Sequence, residues 1–425
     1  MVKRFDVLCC VFSMCLILST GQLRAEDWPA FRGPLGNGIS QETEVPLTWS
    51  AQENILWKAP LPAPGTSSPI VSNGKVFITC AENEGRKRSL YCFDRTSGKQ
   101  LWVRTVNYDK VMPTHKTSNY CCSTPATDGQ RVVVWHSSAG LYCYDFEGKE
   151  LWNRNLGEFK HIWGYGASPV LHAGKIILHC GPGKRVFMTA LDLESGKTLW
   201  ETDEPVVGDG QYNDQKKYMG SWSTPVITNV NGQTLIICSM SLRVNAYDPA
   251  SGKIIWSCEG LHGKKGDLAY TSPVLANGIC VAMGGFNGPA IGFRMQGSGN
   301  ITDSQRLWQK EPNPQRISTG VFTNDHLFMA NAGPNLFQCL NPATGEIVWQ
   351  ERSGGAACWG SIVLAADRLY VTDQNGTTHV LKPSPAGLEK VAENPLKEQS
   401  NSTPAFSDGQ VFIRTFQHLY CIGGK

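Results

Sequence analysis

The sequence predicts an all-β fold, an eight-bladed β-propeller whose ring is closed by its N-terminal strand. Three observations carry this prediction. A phrase Asp-x-x-Ser/Thr-Gly-Lys-x-apolar-Trp recurs at roughly 40 to 56 residue intervals, the span of one propeller blade. A second segment, opening on Ser/Thr-Pro and running into an apolar alternation, precedes each phrase. The last unit stops before its Trp strand, while a Trp strand with no unit in front of it, Asn54 to Ala59, stands near the other end.

The phrase is clearest at Asp94–Trp102, Asp192–Trp200 and Asp248–Trp256. Asp145–Trp152 is one residue shorter, and Asn341–Trp349 substitutes Asn for Asp and Glu for Lys. Each reads as a hairpin. Gly98, Gly196, Gly252 and Gly345 supply positive φ, and the leading Asp accepts hydrogen bonds from nearby backbone. The preceding segments begin at Pro69, Pro125, Pro169, Pro225, Pro273 and Pro404, with degenerate copies near Gly320 and Ser361, which makes eight. Proline at the start of a strand needs no ladder donor. Asn73-Gly74, Asp128-Gly129 and Asn277-Gly278 mark the first hairpin of their units. Each unit is therefore four strands. Trp57, Trp102, Trp152, Trp200, Trp256, Trp308 and Trp349 lie on outer strands, where a large ring covers the neighbouring blade; they read as docking residues rather than cofactor contacts. The strand around Trp57 completes the eighth blade and removes a sheet edge.

Length alone would allow two or three domains, but the repeats overrule that division. Residues 1–25 read as a signal peptide: Lys3 and Arg4 precede an apolar run from Val7 to Leu18, and a polar stretch leads to Ala25. Residues 26–44 are an N-terminal extension, and 45–425 a single propeller. The expected location is periplasmic or secreted, with no transmembrane segment after cleavage. Net charge is +3 and charged residues make up 18%, with no run of one sign, so no nucleic-acid partner is expected. A monomer is expected. Cys92, Cys143, Cys339 and Cys421 share one repeat column with Ala190 and Ala246, which marks a small buried site rather than a disulfide framework. No CxxCH or CxxC spacing occurs.

The phrase, preceded two positions earlier by Ala or Cys, resembles the tryptophan-docking motif of quinoprotein propellers. These comprise the pyrroloquinoline-quinone (PQQ) dehydrogenases and non-enzymatic relatives such as the propeller lipoprotein of the outer-membrane β-barrel assembly machinery. Asp27-Trp28-Pro29-Ala30-Phe31-Arg32-Gly33-Pro34, followed by Asn37-Gly38, resembles the mature N-terminus of exported bacterial PQQ-like repeat proteins. The resemblance covers residues 27 to 425 and speaks to fold, since the docking motif stabilises blades with or without a quinone.

In a propeller, the loops leading into the innermost strands open on one face around the axis, where a ligand is most readily held. Here they carry Tyr120, Cys121, Cys122, His161, Trp163, Tyr165, Trp222, Tyr270, Arg316 and Trp359, with Tyr212 on the long loop from Thr202 to Ser223. These are the candidate ligand-binding residues. Each has a plainer alternative as packing in the funnel mouth. Adjacent Cys121 and Cys122 form a candidate disulfide, because quinoprotein alcohol dehydrogenases carry such a vicinal pair over the cofactor. No catalytic residue and no metal ligand is assigned.

Two functions are open at this point. One is an extracytoplasmic binding or scaffold module for a protein, a cell-envelope component or a small ligand at the central funnel, with no cofactor. The other is a PQQ- and calcium-dependent alcohol or sugar dehydrogenase, with Trp222 or Trp359 as floor, Arg316 as cation and Asp209 or Asp214 as ligand or base. No Glu–Asn–Asp set matches the dehydrogenase pattern residue by residue, which favours the first.

Overall fold

The computed structural model describes residues 27–205, 208–312, 317–331, 333 and 335–424; the signal-peptide assignment and Arg316 lie outside them. Among the described residues, eight blades of four antiparallel strands form the ring, and one of them is extended by a short fifth strand, Gly299–Asn300, that pairs parallel. The first comprises Ile70–Ser72, Lys75–Glu82, Lys87–Asp94 and Gln100–Asn107. Blades two to seven follow over 126–154, 170–204, 226–259, 274–310, 321–352 and 363–395. The eighth joins Ala405–Ser407, Gln410–Arg414 and His418–Ile422 to the N-terminal strand Ile55–Pro60. Trp57 stands opposite Cys421 and Ala59 opposite Leu419, so the two chain ends share one sheet.

Register explains the Cys/Ala column. Cys92 pairs with Trp102, Cys143 with Trp152, Ala190 with Trp200, Ala246 with Trp256, Cys339 with Trp349 and Cys421 with Trp57. A small residue opposite each indole leaves room for the ring. In the fifth blade the same place is taken by Gly292, where a Cβ would lie 2.2 Å from Trp308. Burial pushes the Cys92 and Cys143 thiols up to about 12, and all described cysteines are free.

Each indole also reaches the next blade. The Nε1–H of Trp57 donates to the Arg95 carbonyl at 2.8 Å, Trp102 to Phe146 at 3.0 Å, and Trp152 to Leu193 at 3.1 Å. Trp200, Trp308 and Trp349 donate to Pro249, Pro342 and Ser384. Trp256 is fully buried and meets Phe293 edge-on at 5.6 Å. Polar side chains within the receiving turns hold several of them: Asp94 accepts from the Ser97 N–H and hydroxyl, Asp248 likewise from Ser251, and Asn341 accepts the Ala343 N–H.

The N-terminal segment is not a loose extension. Trp28 bridges to Val71 in the first blade, Thr127 of the second donates its N–H to the Pro29 carbonyl, and Arg32 donates to Gly320 of the sixth. Ile39 then bridges to Leu364 in the seventh, and the Glu42 carboxylate receives the Asp408 and Gly409 amides of the eighth. A single stretch thus crosses the ring and plugs one end of its axis. It carries no repeat, which is why the sequence pattern is silent about its path. A second unforeseen feature joins two of the loops on the opposite face: Tyr218–Ser221 and Gly266–Ala269 pair as short parallel strands. No helix among the described residues is long and apolar enough to cross a membrane.

Candidate functional site

The Ser/Thr that opens each blade becomes a ring around the axis. Its members alternate strictly: Ser68, Thr124, Ser168, Thr224, Ser272, Thr319, Ser361 and Thr403. The backbone N–H of Ser68 donates to the Thr124 hydroxyl at 2.9 Å, Thr124 to Ser168 at 3.0 Å, and Ser168 to Thr224 at 3.1 Å. Further round, Ser272 donates to Thr319, Thr319 to Ser361, Ser361 to Thr403, and Thr403 back to Ser68 at 3.0 Å. All eight side chains are buried. In six of the eight blades the following residue is proline, which has no N–H, so the amide before it is the last donor before the strand; Thr319 and Ser361 precede Gly320 and Ile362 instead.

This ring is the floor of a cavity of about 420 Å³, a size that suits a small ligand or the end of a peptide. Aromatic residues make its walls. Trp222 and Tyr270 lie 5.3 Å apart, Trp163 and Trp222 5.8 Å, and Trp163 and Phe286 5.3 Å between centroids. Across the opening, Trp359 stacks on His115 at 6.5 Å. The Trp222 indole N–H is fixed by the Gly164 carbonyl at 3.0 Å. Phe31, from the N-terminal plug, also lines the cavity. The lining includes no Asp, Glu, Lys or Arg among the described residues.

Of the candidates named from sequence, Cys122, Trp163, Tyr165, Trp222, Tyr270 and Trp359 line this cavity. His161, Tyr212, Tyr120 and Cys121 stand behind them. His161 is buried, meets Trp222 edge-on at 4.9 Å and accepts the Trp163 N–H; burial lowers its pKa to about 4, so it is neutral near pH 7. Tyr212 packs on Tyr218 at 4.9 Å, which in turn packs on Trp163 at 4.6 Å. Tyr120 belongs to a cluster around the buried Arg88, whose guanidinium lies over the rings of Tyr108, Tyr120 and Tyr165. Cys121 and Cys122 carry free thiols that face different carbonyls, those of Pro64 and Ser118. Cys121 is buried beside the Arg414 guanidinium, while Cys122 is partly exposed in the cavity wall.

Phe31, Phe286, Asn401 and the hydroxyl ring were missed as lining residues. The ring had a signal, the Ser/Thr before each proline, but as a strand start it gave no hint that its members meet. Among the described residues no cluster of His, Cys, Asp and Glu has the makings of a metal site.

Comparison with known proteins follows this geometry. A family model for PQQ-like repeats, described as outer membrane protein assembly factor BamB, matches residues 86–351 and 336–421. The outer membrane protein assembly factor BamB of Yersinia pestis is 24% identical over 309 residues, covering 68% of this chain and 70% of that one. The dehydrogenase subunit of a quinone alcohol dehydrogenase from Gluconobacter oxydans is 25% identical over 245 residues, covering 52% of this chain and 30% of that one. Among solved structures, BamB from Moraxella catarrhalis superposes with a TM-score of 0.57 at 16% identity, covering 87% and 97% of the two chains. The quinohemoprotein alcohol dehydrogenase of Comamonas testosteroni superposes with a TM-score of 0.68 at 14% identity, covering 94% and 81%. At such identities these likenesses speak to the fold.

Proposed function

Because this chain belongs to the PQQ-like repeat family described as outer membrane protein assembly factor BamB, we propose that it is an extracytoplasmic binding and scaffold propeller. Its central cavity receives a segment of a protein or another cell-envelope ligand. The observation that carries this reading is the lining itself. Indole and phenol walls over a hydroxyl floor offer apolar contact and hydrogen bonds, but no carboxylate among the described residues to act as a base. The name of the Yersinia pestis relative supports a place in the cell envelope, as does the sequence pattern of residues 1–25.

The alternative, a PQQ-dependent alcohol or sugar dehydrogenase, draws support from the indole wall and from the Gluconobacter oxydans relative. When bound, such a cofactor supplies a quinone that accepts two electrons, with calcium held by carboxylate and amide oxygens. The cavity offers one side-chain amide, Asn401, and no carboxylate among its described lining. These residues do not fit a calcium-bound quinone, so binding is preferred and no step is derived through the cofactor.

Site-specific photo-cross-linking tests the preferred reading. A photoreactive residue at Trp359 in the cavity, with the exposed outer-strand position Val348 as control, is introduced into the exported protein in cells. The reading expects one envelope protein to be joined at 359 and not at 348. The same products from both positions would overturn it. The alternative gains if PQQ and calcium added to purified protein leave a quinone absorbance that survives desalting, together with dye-linked alcohol or sugar oxidation.

A further inference from the structure

We propose that the cavity floor is an oxyanion site, formed by the ring of Ser/Thr hydroxyls with the guanidinium of Arg32 beneath it. The proposal deepens the binding reading by naming the chemistry of what the cavity receives: a ligand that ends in a carboxylate or similar oxyanion.

The ring supplies donors. Seven of its hydroxyl oxygens each accept one backbone N–H from the preceding blade, all but that of Ser272. Having accepted, each keeps its own O–H proton to give. Ser68, Thr124, Ser168 and Thr224 are between 1% and 5% exposed, and all four line the cavity. Buried hydroxyl protons that converge on one axis suit an acceptor-rich group, and an ionised acceptor best of all.

Arg32 supplies charge. It follows Phe31, which lines the cavity, and is only 2% exposed. Its Nη2 donates to the carbonyls of Asn37 at 2.6 Å and Gly320 at 2.7 Å, and Gly320 directly follows ring member Thr319. Its Nε and Nη1 are buried with no hydrogen-bond partner. All its hydrogen bonds go to neutral carbonyls, and no salt bridge reaches it among the described residues. A buried, uncompensated cation is costly, and burial lowers the pKa of Arg32 to about 9. An anion on the floor would relieve that cost. The described lining holds no carboxylate to compete for the site.

The experiment uses the purified mature protein and isothermal titration calorimetry with sodium benzoate, and with benzamide as its uncharged match. Saturable benzoate heat is expected, with benzamide at least ten-fold weaker. Thr224→Val and Arg32→Met are each expected to weaken benzoate at least ten-fold. Arg32→Met is also expected to melt at or above the parent in anion-poor buffer, since it removes a buried unpaired charge; this separates a lost site from a lost fold. Equal affinity for benzoate and benzamide, or no saturable benzoate heat with folded protein, would overturn the proposal. A tripeptide Gly-Gly-Phe with a free carboxyl, set against its amide, identifies the source. Tighter binding of the free acid points to a peptide C-terminus, whereas benzoate binding without tripeptide binding points to a free organic acid. Either result supports the floor. Because no cellular partner takes part, failure here leaves the cross-linking outcome standing.

Discussion

Trp57 occupies the space that a side chain at Gly98 would need: a Cβ at 98 would lie 2.5 Å from the indole. Trp57 belongs to the N-terminal strand of the eighth blade and Gly98 to a turn of the first, so this contact seals the ring where it closes. The same approach recurs at Gly196 on Trp152, Gly252 on Trp200 and Gly345 on Trp308. Each of these glycines thus serves twice, for positive φ and for contact with an indole.

That double duty is separable. Gly74 also has positive φ, but a Cβ there would meet nothing within 4 Å. Gly74→Ala is expected to cost about 1–2 kcal/mol from backbone conformation alone. Gly98→Ala should lose a further 1–3 kcal/mol or so from overpacking. Urea unfolding of both variants measures the difference, and equal losses would refute the role of the close contact.

Closure by the N-terminal strand makes the chain ends interdependent. Deleting residues 45–60 removes the partner of His418–Ile422 and leaves that strand as an unpaired sheet edge. Loss of a single cooperative melt is expected by circular dichroism. A truncated protein that melts like the parent would refute closure as the source of cooperativity.

Three buried histidines make stability depend on pH. Burial lowers the pKa of His161 and His179 to about 4, and of His136 to about 3, from an ordinary 6.5. The folded state therefore binds these protons less readily than the unfolded chain. Their stability is fully present above pH 6.5 and drains away as pH falls toward 4 and below. For fully enclosed His179 the upper limit is about 3 kcal/mol. Melting temperature followed from pH 7.5 down to 4 should fall, and His179→Gln should flatten part of that slope. An unchanged slope in the variant would exclude His179 as a contributor.

The two adjacent cysteines are expected to remain thiols as purified, because their sulfurs face the separate carbonyls of Pro64 and Ser118. Mass spectrometry of the peptide spanning 121–122, alkylated without reductant, should show both modified. A peptide that resists alkylation and is lighter by two hydrogens would establish the vicinal ring instead.

The blade count and the closure were legible because both are written locally. Turn glycines, strand-opening prolines and the Cys/Ala–Trp pairing each lie within a single blade-length unit, and the strand missing at one end matches the surplus strand at the other. The candidate site was legible only in part. Trp222, Trp359 and Tyr270 sit in loops whose position in the repeat already points to the axis. Tyr120 and Tyr212 occupy similar loops, yet Tyr120 lies against the Arg88 guanidinium and Tyr212 against the Tyr218 ring, and neither lines the cavity. Phe31 and Arg32 lie in a segment without repeat, and no spacing in the sequence foretold that it would cross the ring.

What the sequence determined by itself was the module and its number, since hairpin chemistry and alternating burial are properties of neighbouring residues. What only the tertiary structure decided was which modules' residues would meet. Ser68 and Thr403 are 335 positions apart and become hydrogen-bonded when the ring shuts. Arg32 reaches Gly320, which follows ring member Thr319, across 288 residues. Contacts at such separations form only after the intervening chain has been ordered into blades. Local pattern therefore does not encode them.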